Sequence, residues 1–458
     1  MKKICLVFPR FRYKSGDPPL GLCSVASYVR ENCDVEISLL DTTFHPSFEY
    51  VLDYLEAKRP DIVGIYISTP MYDNALSIAQ IAKQMGMYVV AGGPHATICP
   101  DSLIHHVDVV ALGEGEETMR QIIQIFPSND MSKIKGIWYK ENAYIRKNPL
   151  REPLYNLDSL QFPALDLVDM ERYTRHWHYL DSLSPRLKGI NVIASRGCSF
   201  NCSFCQPALR MLFGNGIRYK SPEYLVREIF YYMENYKVNC FFFHDDALGE
   251  NKKWSYMFFD ILEKENIHIT WGCNCRTSGI NEQFLRRMYD VGGRCIHLGI
   301  ESGSQRVLDE IYQKGIRLNR VKEIICIAKK IGLRVGGFFM LGAPGETKSE
   351  IFKTIKFAIS SSLDEASFSI ATPFPGTRLY DMVKNDRKYW VSTNYSDFDY
   401  YRMVSYYDTT CPQRKLHYFQ RKGLILFYLH PWRWLYVFKQ IFSLQGLIKF
   451  HNKIRRFF

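Results

Sequence analysis

Three cysteines stand close together in the stretch SRGCSFNCSFC, which runs from Ser195 to Cys205. Cys198, Cys202 and Cys205 have C-x3-C-x2-C spacing, with no fourth cysteine and no histidine among them. Structural zinc closes a tetrahedron with four ligands, so zinc would need a ligand from a distant part of the chain. Three thiolates instead suit a 4Fe–4S cluster in which one iron keeps an open coordination site. We therefore predict a 4Fe–4S cluster on these cysteines.

The predicted cluster loop follows the first strand of a strand–helix alternation that begins near residue 190. Six segments are predicted to be buried strands, each followed by a helical segment: INVIAS, NCFFFHDD, ITWGCNCR, CIHLGIES, LRVGGFFMLG and EASFSIATPF. This alternation predicts a partial (β/α)6 barrel over residues 187–385. Functional residues of such barrels lie at the carboxyl ends of the strands, which is where the cysteines are placed.

A separate alternation occupies residues 1–127, with five segments that predict buried strands: ICLVFP, VEISLL, DIVGIYIS, MYVVAGG and VDVVALG. Helical patterns lie between them, so this domain is predicted to be an α/β, doubly wound, flavodoxin/Rossmann-like parallel sheet. Ligands of such sheets bind outside the carboxyl ends of the strands. The dinucleotide fingerprint GxGxxG is absent after the first strand, which argues against NAD or FAD.

Two further regions complete the predicted organisation. Residues 128–186 mix turn formers with isolated aromatic residues and show no sustained period, so we predict a linker. Residues 386–458 form an aromatic, basic C-terminal region that is predicted to be a helical tail.

The positive charge of the chain is concentrated in this tail. The formal net charge is +12, and residues 412–458 hold ten Lys and Arg and no acid. The rest of the chain has 49 basic and 47 acidic residues and is nearly neutral. A basic tail on a neutral protein does not indicate general nucleic-acid binding, so we expect no nucleic-acid partner.

Composition also indicates where the protein works. The chain has thirteen cysteines, and the apolar run at its N-terminus is only six residues long, too short for a signal peptide. These features favour reduced thiols and metal ligation over disulfides. The sequence has no stretch of about twenty apolar residues, so we predict no transmembrane helix. We expect a cytoplasmic protein.

The tail leaves two interpretations open. The ten basic residues at 412–458 are interleaved with aromatic residues that include Trp432, Trp434, Tyr436 and Phe438. This composition is typical of helices that lie in a membrane interface. The alternative is a tail that packs over the barrel mouth. The first interpretation predicts peripheral membrane association.

Ten sequence blocks occur in the order found in one known family: PPLGLCSVASYV, GGPHAT, GEGEE, LDSLQFPALDL, SRGCSFNCSFC, RYKSPEYLVREI, FFFHDDALGEN, LGIESGSQRVLDEI, GFFMLGAPGETKSEI and PFPGTRLYD. On these blocks, residues 1–385 resemble the radical S-adenosylmethionine (SAM) superfamily. The resemblance is greater to its class B members, which pair a cobalamin-binding domain with the radical SAM barrel. It implies three cofactors: a 4Fe–4S cluster, SAM and cobalamin.

The resemblance also implies residue roles in the barrel. Cys198, Cys202 and Cys205 would ligate the cluster, whose open iron would chelate the amino and carboxylate groups of SAM. The remaining matching positions are expected to contact SAM: Phe204, Asp245, Asp246, Glu301, Ser302, Gly342 and Glu346. From the residues alone, the two aspartates could instead cap a helix, and Glu301 could form a surface salt bridge.

For cobalamin, the resemblance points to loops that follow the strands of the first domain. The expected residues are Pro19, Ser68, Thr69, Gly92, Gly93, His95, Gly113 and Glu114. The Asp-x-His-x-x-Gly motif that supplies a histidine to cobalt is missing, as it usually is in class B members. This implies that no histidine of the protein ligates cobalt. If one does, His95 and His45 are the candidates.

A second group of cysteines raises the question of an auxiliary cluster. Cys273 and Cys275 lie on the same face of a predicted strand, and both thiols could point into the barrel beside Cys295 and Cys240. The alternative is that small residues fill the barrel layers, which we favour.

The resemblance implies a C-methyltransferase that acts on an unactivated carbon. The aromatic, basic tail suggests that the substrate is a lipid or another hydrophobic natural product. Cobalamin would be held between the domains, and flavodoxin or ferredoxin would donate the electron. The alternative outcomes are cyclisation, carbon–carbon coupling or oxygen insertion with the same cofactors. A sensor without turnover is disfavoured by the intact cysteine triplet.

Overall fold

The computed structural model describes residues 1–434 except 129, 143, 247, 402–403 and 409–412, and beyond them residues 437, 438, 442, 446, 447, 449 and 451. The chain divides into two compact units. The first unit holds Met1–Tyr173 together with Pro207–Gly216 and Thr393–Phe398. The second unit holds the remaining described residues.

The first unit is built on a seven-stranded sheet. Its strands are β1 (Lys2–Phe8), β2 (Val35–Asp41), β3 (Ile62–Tyr66), β4 (Tyr88–Gly92), β5 (Val109–Ala111), β6 (Ile137–Glu141) and β7 (Tyr144–Lys147), in the order β2-β1-β3-β4-β5-β6-β7. The first five are parallel, which confirms the predicted flavodoxin-like arrangement. The apolar strands form the core, in which Val7, Val63 and Val89 are fully buried.

Helices cover the strands of the first unit. They are α1 (Leu20–Asn32), α2 (Phe48–Lys58), α3 (Tyr72–Gln84), α4 (Pro94–Ile98), α5 (Glu116–Ile125), α6 (Met170–His176, which ends in the second unit) and α7 (Ala208–Phe213). Ser47 begins α2 as an N-cap whose side chain accepts a hydrogen bond from the Tyr50 backbone N–H. The helix α7, which follows the cysteine loop in sequence, belongs to this unit.

The predicted linker contains secondary structure. Within residues 128–186, β6 pairs antiparallel with β5, and β7 pairs antiparallel with β6. Both strands are short and carry charged residues, and Lys147 lies 3.7 Å from the centre of the Trp138 ring. Such short, half-exposed strands at the edge of a sheet lack the apolar run that identifies a buried strand.

The second unit contains a parallel six-stranded sheet. In chain order its strands are β8 (Gly189–Val192), β11 (Cys240–Phe243), β12 (Thr270–Cys275), β13 (Gly293–Glu301), β14 (Arg334–Leu341) and β15 (Glu365–Ile370). Between β8 and β11 in sequence, β9 (Ser195–Arg196) and β10 (Arg218–Tyr219) form a separate antiparallel pair. The sheet order is β15-β14-β13-β12-β11-β8, so each strand lies beside its neighbour in sequence. This half-barrel confirms the predicted (β/α)6 architecture.

The helices of the second unit are α8 (Pro222–Tyr236), α9 (Lys252–Lys264), α10 (Glu282–Asp290), α11 (Leu318–Ile331), α12 (Lys348–Ser360), α13 (Arg378–Lys384) and α14 (Gln413–Tyr428). The strands β16 (Tyr389–Val391) and β17 (Tyr406–Asp408) form a further antiparallel pair. The helix α14 covers the edge strand β15. The Gln420 side-chain amide donates to the Phe368 carbonyl at 2.9 Å, and Gly423 lies against the same phenylalanine. The helix thereby protects an otherwise unpaired strand edge.

Two basic residues beyond α14 are structural. Arg433 is buried and donates hydrogen bonds to the carbonyls of Ala358, Ile359, Ser361, Leu363 and Phe427, most of which lie at the C-terminal end of α12. Lys449 forms a buried ion pair with Asp181 at 3.0 Å. These contacts attach the tail to the second unit beside the amino ends of β15 and β8, whereas the packing interpretation placed the tail over the barrel mouth. Tyr436, Lys439 and residues 452–458 lie outside the described residues.

None of the helices in the described part of the chain is both long and apolar enough to cross a membrane.

Candidate active site

The cysteine loop lies after β8 and is fixed by backbone hydrogen bonds on two sides. The Ser203 N–H donates to the Tyr312 carbonyl at 2.9 Å, and the Leu379 N–H donates to the Ser203 carbonyl at 2.9 Å. The Arg378 N–H donates to the Gln206 carbonyl at the same distance. The loop is therefore held between the segment after β13 and the start of α13.

The three cysteines have different environments in this loop. Cys202 is buried, Cys198 is half-buried, and Cys205 is exposed to solvent although protein atoms surround its thiol. Desolvation raises the pKa of the Cys198 and Cys205 thiols, so neutral thiols are favoured until a cation compensates the thiolate charge. Iron supplies such compensation, because a coordinating thiol is deprotonated.

Arg276 places a positive charge beside Cys202. It follows β12, is buried, and donates from Nη1 to the Cys202 Sγ at 3.3 Å. Its guanidinium also stacks over the Phe200 ring at 3.6 Å and donates to the Lys314 carbonyl. A guanidinium fixed beside sulfur stabilises a thiolate ligand. The motif spacing contains no signal for Arg276, because 74 residues separate it from Cys202.

This donor set fits an iron–sulfur cluster better than a single metal ion. The loop supplies three cysteines and no fourth ligand, whereas structural zinc usually has four ligands. In a 4Fe–4S cluster each thiolate ligates a different iron, and thiolates are its usual ligands. Cys198, Cys202 and Cys205 are the residues that would hold it.

The two expected SAM-binding aspartates have separate environments. Asp245 is buried and accepts hydrogen bonds from the Ser195 hydroxyl at 2.5 Å and the Ala194 N–H at 3.2 Å. Burial raises its pKa to about 6. Asp246 is exposed to solvent although protein atoms surround it, and desolvation together with Asp245 raises its pKa to about 6. Asp245 thus fixes the entry of the cysteine loop, and Asp246 has its carboxylate accessible to a ligand.

Glu301 forms a buried ion pair instead of a surface salt bridge. Its Oε1 lies 2.7 Å from the Lys314 ammonium, and both side chains are buried. Glu301 has a φ of +66°, a conformation that costs energy for a residue with a Cβ and is common at functional sites. Lys314 also lies 5.4 Å from the centre of the Phe204 ring, which packs edge-on against Tyr312.

Ser302 and the loop after β14 are held by internal hydrogen bonds. The Ser302 hydroxyl lies 3.1 Å from the Thr354 hydroxyl and accepts from the Ser304 N–H. Glu346 Oε2 accepts from the N–H groups of Gly342 and Ala343, and burial raises the Glu346 pKa to about 7. Its Oε1 is buried without a hydrogen-bond partner among the described residues. That oxygen can bind a ligand, whereas the Ser302 hydroxyl is already engaged.

The cobalamin-binding candidates follow adjacent strands of the first unit. Ser68 and Thr69 come after β3, Gly92, Gly93 and His95 after β4, and Gly113 and Glu114 after β5, while Pro19 directly precedes α1. Parallel pairing brings these loops to the carboxyl edge of the sheet. Gly93 has a φ of +99°, and an added Cβ would lie 3.0 Å from the Tyr66 ring. Glu114 accepts from the Leu154 N–H at 2.9 Å, and the Gly113 N–H donates to Thr97.

His95 has both ring nitrogens engaged by hydroxyl groups. Nδ1 lies 3.2 Å from the Thr69 Oγ1, and Nε2 lies 3.1 Å from the Ser102 Oγ. The ring packs edge-on against Tyr72 and Tyr395, and burial lowers its pKa to about 4. This geometry is that of a neutral, loop-ordering histidine.

The second cysteine group is divided between the two faces of the barrel sheet. Cys273 and Cys275 share a face with their sulfurs 3.4 Å apart, but Trp271 on that face packs against Phe258 of α9. The expectation that these two thiols could point into the barrel is therefore wrong. Cys240 and Cys295 lie on the other face, where they pack with Trp177. Strand alternation predicts which residues share a face, but the helices decide which face is outside.

Comparisons with known proteins agree with this arrangement. A B12 binding domain family model matches residues 13–123, and a radical SAM superfamily model matches residues 192–358. An uncharacterized methyltransferase of Pyrococcus horikoshii is 34% identical, over 94% of this chain and 91% of its own length. The anaerobic magnesium-protoporphyrin IX monomethyl ester cyclase of Rubrivivax gelatinosus is 25% identical, over 85% of this chain and 69% of its own length.

A solved structure has the same fold. The radical SAM methyltransferase TsrM from Kitasatospora setae, with cobalamin and a [4Fe-4S] cluster bound, superposes with a TM-score of 0.70. The match covers 86% of this chain and 81% of that chain at 16% identity.

The fold and the cysteine loop define a class of enzyme in which a cobalamin-binding domain precedes a radical SAM barrel. The chain belongs to the cobalamin-dependent radical SAM family. Its cofactors are a 4Fe–4S cluster, SAM and cobalamin.

The environment of His95 leads to a spectroscopic prediction. We expect the cob(II)alamin form of the protein to show no nitrogen superhyperfine splitting from a protein histidine in electron paramagnetic resonance. Both His95 nitrogens are engaged, and the His45 Nε2 lies 2.7 Å from the Arg172 guanidinium. A His95→Ala variant is the control and should leave the spectrum unchanged. Splitting that disappears in this variant would show that His95 ligates cobalt.

Proposed function

We propose that the protein transfers a methyl group from SAM to an unactivated carbon of a lipid or another hydrophobic natural product. The observation that carries the proposal is the cysteine loop, which is held at the carboxyl side of the barrel sheet. In this loop Cys202 accepts a hydrogen bond from Arg276. The relative that is 34% identical over nearly the whole chain is named a methyltransferase, which supports this outcome.

In this proposal the chain orients its cofactors and stabilises their charges. When bound, the cluster supplies the electron that cleaves SAM, and cobalamin supplies the methyl group. Arg276 stabilises the thiolate of Cys202, and Asp245 fixes the position at which the loop begins. Flavodoxin or ferredoxin is the electron donor we propose.

SAM recognition is proposed to use side chains that are exposed or that have an unused hydrogen-bond acceptor. Phe204 offers an aromatic surface for the adenine, and Asp246 offers a carboxylate for the amino group or ribose. The free Oε1 of Glu346 accepts a hydrogen bond. Glu301 acts through Lys314, whose ammonium it positions beside the Phe204 ring. Gly342 and Ser302 shape the adjoining loops.

A cyclase is the second candidate. It rests on the relative named a magnesium-protoporphyrin IX monomethyl ester cyclase, which matches 85% of this chain. Such an enzyme would use the same cofactors and form a ring without retaining a methyl group from SAM.

Isotope labelling distinguishes the two functions. We expect the reconstituted, reduced enzyme, incubated with methyl-deuterated SAM and a lipid extract, to form a product heavier by one deuterated methyl group. Mass spectrometry of parallel reactions with unlabelled SAM identifies the shifted product. The Cys202→Ala variant is the control and should form none. Unlabelled product together with 5′-deoxyadenosine would contradict methyl transfer and favour the cyclase.

A further inference from the structure

The end of α14 presents an apolar surface to solvent. Ile425, Leu426, Leu429, Trp432 and Trp434 are exposed, and we name these five residues the C-terminal tip. Leu429 is 58% exposed, Trp432 is 50% and Trp434 is 49%. Adjacent exposed apolar residues of this size usually mark a surface that contacts a partner or a membrane.

The C-terminal tip is held by a buried anchor. Arg433 lies between the two exposed tryptophans, and its guanidinium is hydrogen-bonded to carbonyls at the end of α12. The Trp434 indole N–H donates to the Leu429 carbonyl at 3.1 Å, and the Lys329 ammonium lies 5.6 Å from the Trp432 ring centre. Side chains that are already ordered lose little conformational entropy when they bind.

Basic residues lie beside the C-terminal tip on the same helix. Lys415 and Arg421 are exposed, and Lys422 is partly exposed, one to three turns before the apolar residues. No acidic residue occurs in residues 412–458. The exposed charges that the structure describes on α14 are therefore basic, and they complement an anionic partner.

We propose that the C-terminal tip inserts into the interface of an anionic phospholipid bilayer. Tryptophan and branched aliphatic side chains bury in the headgroup and acyl boundary, while Lys and Arg contact anionic headgroups. A second copy of the chain fits less well, because a symmetric contact would bring two acid-free basic helices together. The proposal stands on this surface alone and does not depend on the reaction that the enzyme catalyses.

Co-sedimentation of the full-length holoenzyme with vesicles tests the proposal. We expect binding to vesicles of phosphatidylcholine with phosphatidylglycerol, weaker binding at high salt, and little binding to phosphatidylcholine alone. The W432A/W434A double variant should bind at least about tenfold more weakly, because it removes most of the inserted aromatic area. The R421A/K422A variant should lose most of the part of vesicle binding that is sensitive to salt.

A matched control uses exposed aromatic residues elsewhere. Tyr144 and Tyr155 are 70% and 73% exposed in the first unit, and Y144A/Y155A should bind vesicles like the unmodified protein. Cobalamin content and circular dichroism establish that each variant is folded. No vesicle binding, or equal binding by W432A/W434A, would overturn the proposal. Dimerisation that requires the two tryptophans, without vesicle binding, would overturn it in favour of a second copy.

Discussion

Cys202→Ala is expected to reduce reductive cleavage of SAM to background. Cys202 is the buried cysteine of the loop and the one that Arg276 contacts, so its loss removes a cluster ligand and leaves a buried guanidinium without its sulfur partner. Cysteine thiolates are the ligands of such clusters, and the variant keeps only two of the three predicted here. The measurement is 5′-deoxyadenosine formed after dithionite reduction, together with the iron and sulfide content.

The same variant should still bind cobalamin, because the predicted cobalamin loops belong to the other unit of the chain. The visible absorption spectrum of the cobalamin-loaded protein measures this directly. Cys326→Ala is a matched control, since Cys326 is an exposed thiol on α11, and it should retain SAM cleavage and iron content. Undiminished cleavage by Cys202→Ala would show that the cluster assignment is wrong.

Arg433→Met is expected to lower the free energy of unfolding by about 3 kcal/mol, because five backbone carbonyls lose a buried cationic donor. Methionine keeps much of the side-chain volume, so the effect reports mainly the lost hydrogen bonds. Burial lowers the pKa of Arg433 only to about 10, so the guanidinium stays charged at neutral pH. Urea unfolding monitored by circular dichroism measures the loss.

Arg421→Met is the control for this experiment, since Arg421 is exposed on α14 and its loss should change stability by less than about 0.5 kcal/mol. A chain that ends at Asp408 should be affected more than Arg433→Met, because it also lacks the helix that covers β15. Equal stability of Arg433→Met and the unmodified protein would contradict a structural role for the tail.

Much of the fold was predictable because the signals are local. Buried parallel strands are continuous apolar runs, and the six barrel strands and five strands of the first domain follow such runs. The half-exposed β6 and β7 have no such run and were not predicted. The cluster spacing is local too, since all three cysteines occupy one loop.

Contacts between distant segments were not predictable in the same way. The family resemblance identifies Glu301, but only the folded chain places the Lys314 ammonium 2.7 Å from it and gives Glu301 a positive φ. Alternation places Cys273 and Cys275 on one face, and the packing of α9 makes that face the outer one. Composition counts Arg433 as one more basic residue, whereas tertiary packing buries it.

The sequence by itself determined the predicted cluster site of this protein, three cysteines in one loop placed after a barrel strand, and its ordered blocks carry the resemblance that implies SAM and cobalamin. Such features depend on neighbours along the chain, and residue type and period encode them. The tertiary structure alone decided which charges act on that chemistry and which support the fold. Arg276 reaches Cys202 across 74 residues, and Arg433 reaches the end of α12. A long cationic side chain finds its partner only after packing brings distant carbonyls or sulfur within hydrogen-bond distance and excludes water around them.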